Sequence, residues 1–132
     1  MDTDIKPAFR VLLAEDVKLN QMLTQKLLAR SGYQIDIAEN GIQAIEAIRN
    51  ADYDVILMDV QMPEMDGIEA TRHIRQLPGE KKFVPIIALT AQAENNTEDE
   101  LRAAGMDDYI SKPINFDILF SKLSALATKR DG

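Results

Sequence analysis

Short apolar runs alternate with helix-spaced apolar residues along the whole chain. The runs are Val11-Leu12-Leu13-Ala14, Ile35-Asp36-Ile37-Ala38, Val55-Ile56-Leu57-Met58, Val84 through Leu89, and a weaker one at Tyr109-Ile110. Between them the spacing changes to that of a helix. Leu19, Met22, Leu23 and Leu27 mark a first helix, Ile42, Ile45 and Ile48 a second, and Ile68, Thr71, Ile74 and Leu77 a third. A weakly amphipathic stretch at 98–104 predicts a fourth. Phe116, Leu119, Phe120, Leu123 and Leu126 predict a fifth, ending near Ala127. Strand and helix alternating five times describe a doubly wound parallel sheet with helices on both faces. The continuous apolar runs at 55–58 and 84–89 suit central strands buried on both sides. Turn residues fall between elements, at Ser31-Gly32, Asn40-Gly41, Pro78-Gly79 and Gly105. With no repeat or linker in sight, one domain is expected over 1–132, with its core at about 8–128.

Composition narrows the function classes. An apolar fraction of 45% suffices for one core, and the absence of cysteine removes disulfides, thiolate metal sites and thiol nucleophiles together. The net charge of −7 repels phosphate backbones and anionic lipid, so no direct nucleic-acid partner is expected. No apolar run approaches the roughly 20 residues of a membrane span. The opening MDTDIKPAF lacks a secretory signal's apolar stretch, so a cytoplasmic location is expected. The single histidine, His73, lies between Arg72 and Arg75 in a helical pattern and reads as a surface residue.

In an open parallel sheet, ligands bind beyond the carboxyl ends of the strands. Glu15 and Asp16 follow the first run, Asp59 the third, Thr90 and Ala91 the fourth, and Ser111, Lys112 and Pro113 the fifth. An acid or a threonine at a strand end is ordinarily a turn residue or helix cap. Three carboxylates, a hydroxyl and an ammonium converging on one edge are another matter. Clustered carboxylates need a cation, and oxygen-only ligands select a hard one, magnesium or calcium. Few carboxylates and no EF-hand loop favour Mg²⁺. Lys112 and Thr90 supply what phosphoryl oxygens require, a point charge and a donor. A carboxylate is then the nucleophile. Asp59 is the natural choice because it ends the most apolar strand, leaving Glu15 and Asp16 as the metal clamp.

The stretches VLLAED, DVILMDVQMPEMDG, PIIALTA and DDYISKP resemble the receiver domain of two-component response regulators, in order and over nearly the whole chain. The resemblance implies a flavodoxin-like sheet in the order 2-1-3-4-5. It implies that Asp59 is the phosphoacceptor. Asp16, Asp59 and the backbone carbonyl of Gln61 would ligate Mg²⁺, and Glu15 would act through a metal-bound water. Lys112 would pair with Asp59 and then with the phosphoryl group, and the bond to Pro113 is expected to be cis. Thr90 and Tyr109 match the family's switch pair, and Ala91 keeps the site open. Two positions depart from the common pattern: Glu15 replaces an aspartate, and Val17 stands where many relatives carry a polar residue.

The implied partner is a histidine kinase or a histidine phosphotransfer domain. Asn20-Gln21 and DVQMPEMDGIEATRHIR are most similar to receivers of hybrid histidine kinases, which favours a phosphorelay within a hybrid kinase. The docking surface for a phosphotransfer domain is expected on the first helix and the loop after the fifth strand. The alternative is a stand-alone regulator acting through the face around Tyr109. An aspartyl phosphatase would want a second acid two residues past the nucleophile, where Gln61 stands. A nucleotide or flavin binder would want a glycine-rich loop where EDVKLN stands. A receiver reduced to an interaction module would lack some of these polar groups, and all are present. Asp66-Gly67 and Pro63 read as loop-shaping residues without chemistry.

Overall fold

The computed structural model describes residues 8–91 and 97–132. Five strands, β1 (Arg10–Ala14), β2 (Gln34–Ala38), β3 (Val55–Asp59), β4 (Ile86–Ala91) and β5 (Asp108–Lys112), form one parallel sheet in the order β2-β1-β3-β4-β5. The helices are α1 (Lys18–Arg30), α2 (Gly41–Asn50), α3 (Gly67–Ile74), α4 (Glu98–Ala104) and α5 (Phe116–Asp131). The architecture and strand order are those expected. The opening residues 1–7, on which the reading of the leader rests, lie outside the described residues.

Alternation along each strand divides the core in two. Leu12, Ala14, Ile56, Met58, Ile86 and Ala88 face α2, α3 and α4. Val11, Leu13, Val55, Leu57, Leu89 and Ile110 face α1 and α5, where they meet Leu28, Leu119 and Leu123. Two covered faces explain why the strand runs are continuously apolar.

The first helix corrects the sequence-based expectation. Its buried residues are Gln21, Thr24 and Leu28, whereas Leu19 and Met22 are 72% and 65% exposed and Leu23 is also exposed. The helical period was right, but the apolar stripe lies on the outer side. The inward side carries Gln21 and Thr24 with Leu28. Ile42 of the second predicted stripe is likewise exposed, while Ile45 and Ile48 are buried.

Two boundaries also move. Val84 precedes β4, separated from it by Pro85, which lacks the N–H a central strand requires. At the other end, Thr90 and Ala91 close the strand instead of following it. The last helix continues past Ala127 to Asp131, with Lys129 and Arg130 in its final turn, where cations favour the helix dipole. Arg130 also binds Asp54 at 3.0 Å, fastening that turn to the body of the domain. The fourth helix stands where expected, started by a capping box between Thr97 and Glu100. His73 is exposed, as its neighbours predict.

Candidate functional site

The chain runs outward in opposite directions from β1, to β2 on one side and through β3 to β5 on the other, so a crevice opens between the ends of β1 and β3. Leu13, Leu57 and Ile110 all face α1 and α5. Two residues further on, the same alternation brings Glu15, Asp59 and Lys112 to that side at the sheet's carboxyl edge. Carboxylate oxygens of Glu15, Asp16 and Asp59 lie within 4.8 Å of one another. Lys112 Nζ donates to Asp59 Oδ2 at 2.5 Å and stands 3.7 Å from Glu15 Oε1. The Glu15 and Asp59 side chains are each only 2% exposed, against 26% for Lys112.

Among the described residues, two buried carboxylates and the exposed Asp16 gather around the Lys112 ammonium, which leaves an excess of negative charge. Burial pushes the Glu15 carboxyl above its ordinary value, and the nearby Asp59 charge adds to the rise; the Val17 N–H and Lys112 oppose it. The donor set is all oxygen, close enough to converge on one ion, and its excess charge calls for a cation. These residues therefore fit a hard divalent metal.

Each side chain is held by its own backbone neighbourhood. Asp59 Oδ1 accepts the Gln61 N–H at 3.1 Å, so the start of the following loop folds over the carboxylate. Glu15 Oε2 accepts the Val17 N–H at 3.0 Å. Val17 is the N-cap of α1 and provides no side-chain cap. The two departures from the family pattern are thus structurally linked: the longer glutamate reaches back to the backbone of the apolar Val17. Thr90 pairs with Ser111 in the register of β4 and β5, which puts Thr90, Ser111 and Tyr109 on one face. The Tyr109 residue is 39% exposed. The Lys112–Pro113 bond is cis, as expected.

Glycine at 67 has more than a turn role. A Cβ there would lie 2.2 Å from the Asp59 carbonyl oxygen and 2.8 Å from Met58 Cγ. The backbone after Asp59 can close onto α3 only because no side chain intervenes, and the Gly67 N–H bonds the Val60 carbonyl at 2.9 Å. The same loop is tied to α2, with Asn40 Nδ2 donating to Glu64 Oε2 and the Gly41 N–H to the Met65 carbonyl. Gly67→Ala is expected to lower stability by about 1–3 kcal/mol, because backbone must shift to admit the methyl. Urea unfolding measures it, and wild-type stability would show the approach to be looser than these distances.

Residues 11–124 match the family model for the response regulator receiver domain. The chain belongs to the response regulator receiver family. The receiver is 41% identical to "Probable histidine kinase 1" of Oryza sativa subsp. indica, over 81% of this chain and 14% of that protein. It is 43% identical to "Hybrid signal transduction histidine kinase B" of Dictyostelium discoideum, over 86% of this chain and 6% of that protein. The receiver thus spans a small part of the curated relatives it matches. Among solved structures it resembles the receiver domain of sensor histidine kinase PA1611 from Pseudomonas aeruginosa, crystallised with magnesium in the active-site cleft. That match has 38% identity and a TM-score of 0.82, covering 91% of this chain and 98% of the other. It also resembles a chain of the Saccharomyces cerevisiae co-crystal of the histidine phosphotransfer protein Ypd1 with the Ssk1 receiver domain. There the identity is 30% and the TM-score 0.81, covering 92% and 90% of the two chains.

Proposed function

We propose that Asp59 accepts a phosphoryl group from a phosphohistidine and passes it on within a hybrid-kinase phosphorelay. The observation that carries this reading is the buried Asp59 carboxylate, paired with Lys112 and grouped with Glu15 and Asp16. Asp59 attacks phosphorus as the histidine N–P bond breaks; the phosphoryl group moves to the carboxylate, and the imidazole leaves with the bonding pair. Lys112 then exchanges its bond to Asp59 for one to a phosphoryl oxygen, and Thr90 donates its hydroxyl to another. Ala91 keeps that approach open.

Asp16, Asp59 and the Gln61 carbonyl would hold Mg²⁺, with Glu15 acting through a metal-bound water. Magnesium supplies neutralisation of the transferring oxygens. The magnesium in the cleft of the Pseudomonas receiver supports this assignment. Once Thr90 moves inward, the exposed Tyr109 ring has room to turn after it, so the phosphoryl group favours one of two arrangements. Beryllofluoride bound at Asp59 should shift NMR signals through α4, β5 and α5. Shifts confined to the pocket would exclude this switch.

The partner is a histidine kinase or a four-helix histidine phosphotransfer domain. Leu23, one of the apolar residues that α1 leaves outside, lines a cavity beside Glu15 and Lys112 together with Pro113, Ile114 and Phe116, and Leu19 and Met22 are exposed on the same helix. That rim suits an apolar helical partner delivering a histidine to Asp59, and the yeast Ypd1–Ssk1 complex supports such pairing. We place the reaction in the cytoplasm; among the described residues no helix is long and apolar enough to cross a membrane. Radiolabelled phospho-Asp59 mixed with phosphotransfer domains of the same organism tests the relay. Rapid transfer to one of them is expected. If none accepts label while phosphorylation raises affinity for another protein, the chain acts as a stand-alone regulator through the face around Tyr109.

A further inference from the structure

The face that α1 turns toward the body of the domain is unusual in its chemistry. Two of its three buried residues are polar, Gln21 and Thr24, while leucine and methionine lie outside. For packing alone a leucine at 21 would serve better, because a buried amide is costly unless it is hydrogen-bonded. Gln21 is 4% exposed, and its Nε2 donates to the backbone carbonyl of Glu15 at 2.5 Å.

That carbonyl belongs to the peptide joining Glu15 to Asp16. A peptide unit is planar, so fixing its oxygen fixes the orientation of the whole plane. It therefore fixes the direction in which Asp16 leaves the end of β1. The other groups of Glu15 are also tied. Its N–H donates to the Ala38 carbonyl at 3.0 Å, and its carboxylate accepts the Val17 N–H. Among the described residues, it is the bond from Gln21 that acts on the plane between the two acids. The Gln21 backbone is itself anchored, donating to the Val17 carbonyl at 3.0 Å, so the side chain reaches back from a fixed turn of helix.

We propose that Gln21 is a positioning residue for the metal clamp: by holding the Glu15–Asp16 peptide plane, it presets the two adjacent carboxylates for a divalent cation. The inference rests on the reading of Glu15, Asp16 and Asp59 as a Mg²⁺ site. Gln21 touches neither the ion nor the phosphoryl group. Its contribution is preorganisation, and groups that orient metal ligands commonly change affinity by about 10–100-fold.

Gln21→Met removes the donor while keeping the length and filling the space. The expected result is a Mg²⁺ dissociation constant raised about tenfold in an NMR titration, with phosphorylation by acetyl phosphate recovered at higher Mg²⁺. Leu28→Ala, deep in the same helix and remote from the acids, serves as the comparison for packing. It should lower the melting temperature in EDTA and leave the Mg²⁺ dissociation constant unchanged. Gln21→Leu gives an independent measurement should the methionine variant fold poorly, because it also fills the space and cannot donate. A wild-type Mg²⁺ dissociation constant in either folded variant overturns the positioning role. Failure of the wild-type protein to bind Mg²⁺ at all would overturn the metal reading itself, a separate and distinguishable outcome.

Discussion

Asp59→Asn is expected to abolish phosphorylation by acetyl phosphate. The wild-type protein with Mg²⁺ should gain one phosphoryl group, labile to base and hydroxylamine as an acyl phosphate is. An amide is not a competent nucleophile, so no alternative oxygen at this position takes over. Glu15 is buried beside it, yet its carboxylate is held by the Val17 N–H at 3.0 Å. Asp16 is exposed, and in the proposed reading it serves the metal. The loss should therefore be complete, read by intact-mass measurement. Undiminished labelling of the variant would move the acceptor to another residue. Asparagine removes one charge from a cluster with excess negative charge, and Glu15 remains 3.7 Å from the Lys112 ammonium, so the variant should be no less stable than wild type, which separates lost chemistry from lost folding.

Removing Asp16 should produce the second large effect. Asp16→Ala takes away a carboxylate from a site with few ligands, and the Mg²⁺ dissociation constant should rise by about tenfold or more. Phosphorylation at limiting Mg²⁺ should slow accordingly, because less of the transferring charge is neutralised. Wild-type protein should gain about 1.4 kcal/mol at ten dissociation constants of Mg²⁺, since the ion binds only the native arrangement. For a domain of this size that is a melting shift of roughly 5 °C. The shift should be nearly absent in Asp16→Ala. Equal melting temperatures of the wild-type protein with and without millimolar Mg²⁺ would remove the metal from the site.

Much of this site was legible in the chain because its residues sit at the ends of strands. A continuous apolar run announces a buried strand, and in a parallel sheet all strands deliver their carboxyl ends to one edge. Glu15, Asp16, Asp59, Thr90 and Lys112 could therefore be assembled from position alone, and the structure brings the carboxylates and the ammonium together. Gly67 was readable only as a turn. Its close approach to the Asp59 carbonyl depends on how the loop folds back, which no local pattern states.

The sequence by itself determined the alternation of strands and helices, the sheet they make, and the edge at which the acids gather. Those follow from local periodicity and from the obligation of apolar strands to be covered. Tertiary structure alone decided which side of α1 faces inward. Counting apolar positions points to Leu19, Met22 and Leu23, but all three are exposed and Gln21 is buried. A helix's period is a property of its own residues, whereas its rotation about its axis is a property of what it packs against. Here the neighbour is the end of β1, where the Glu15 carbonyl needs a donor and Gln21 provides it.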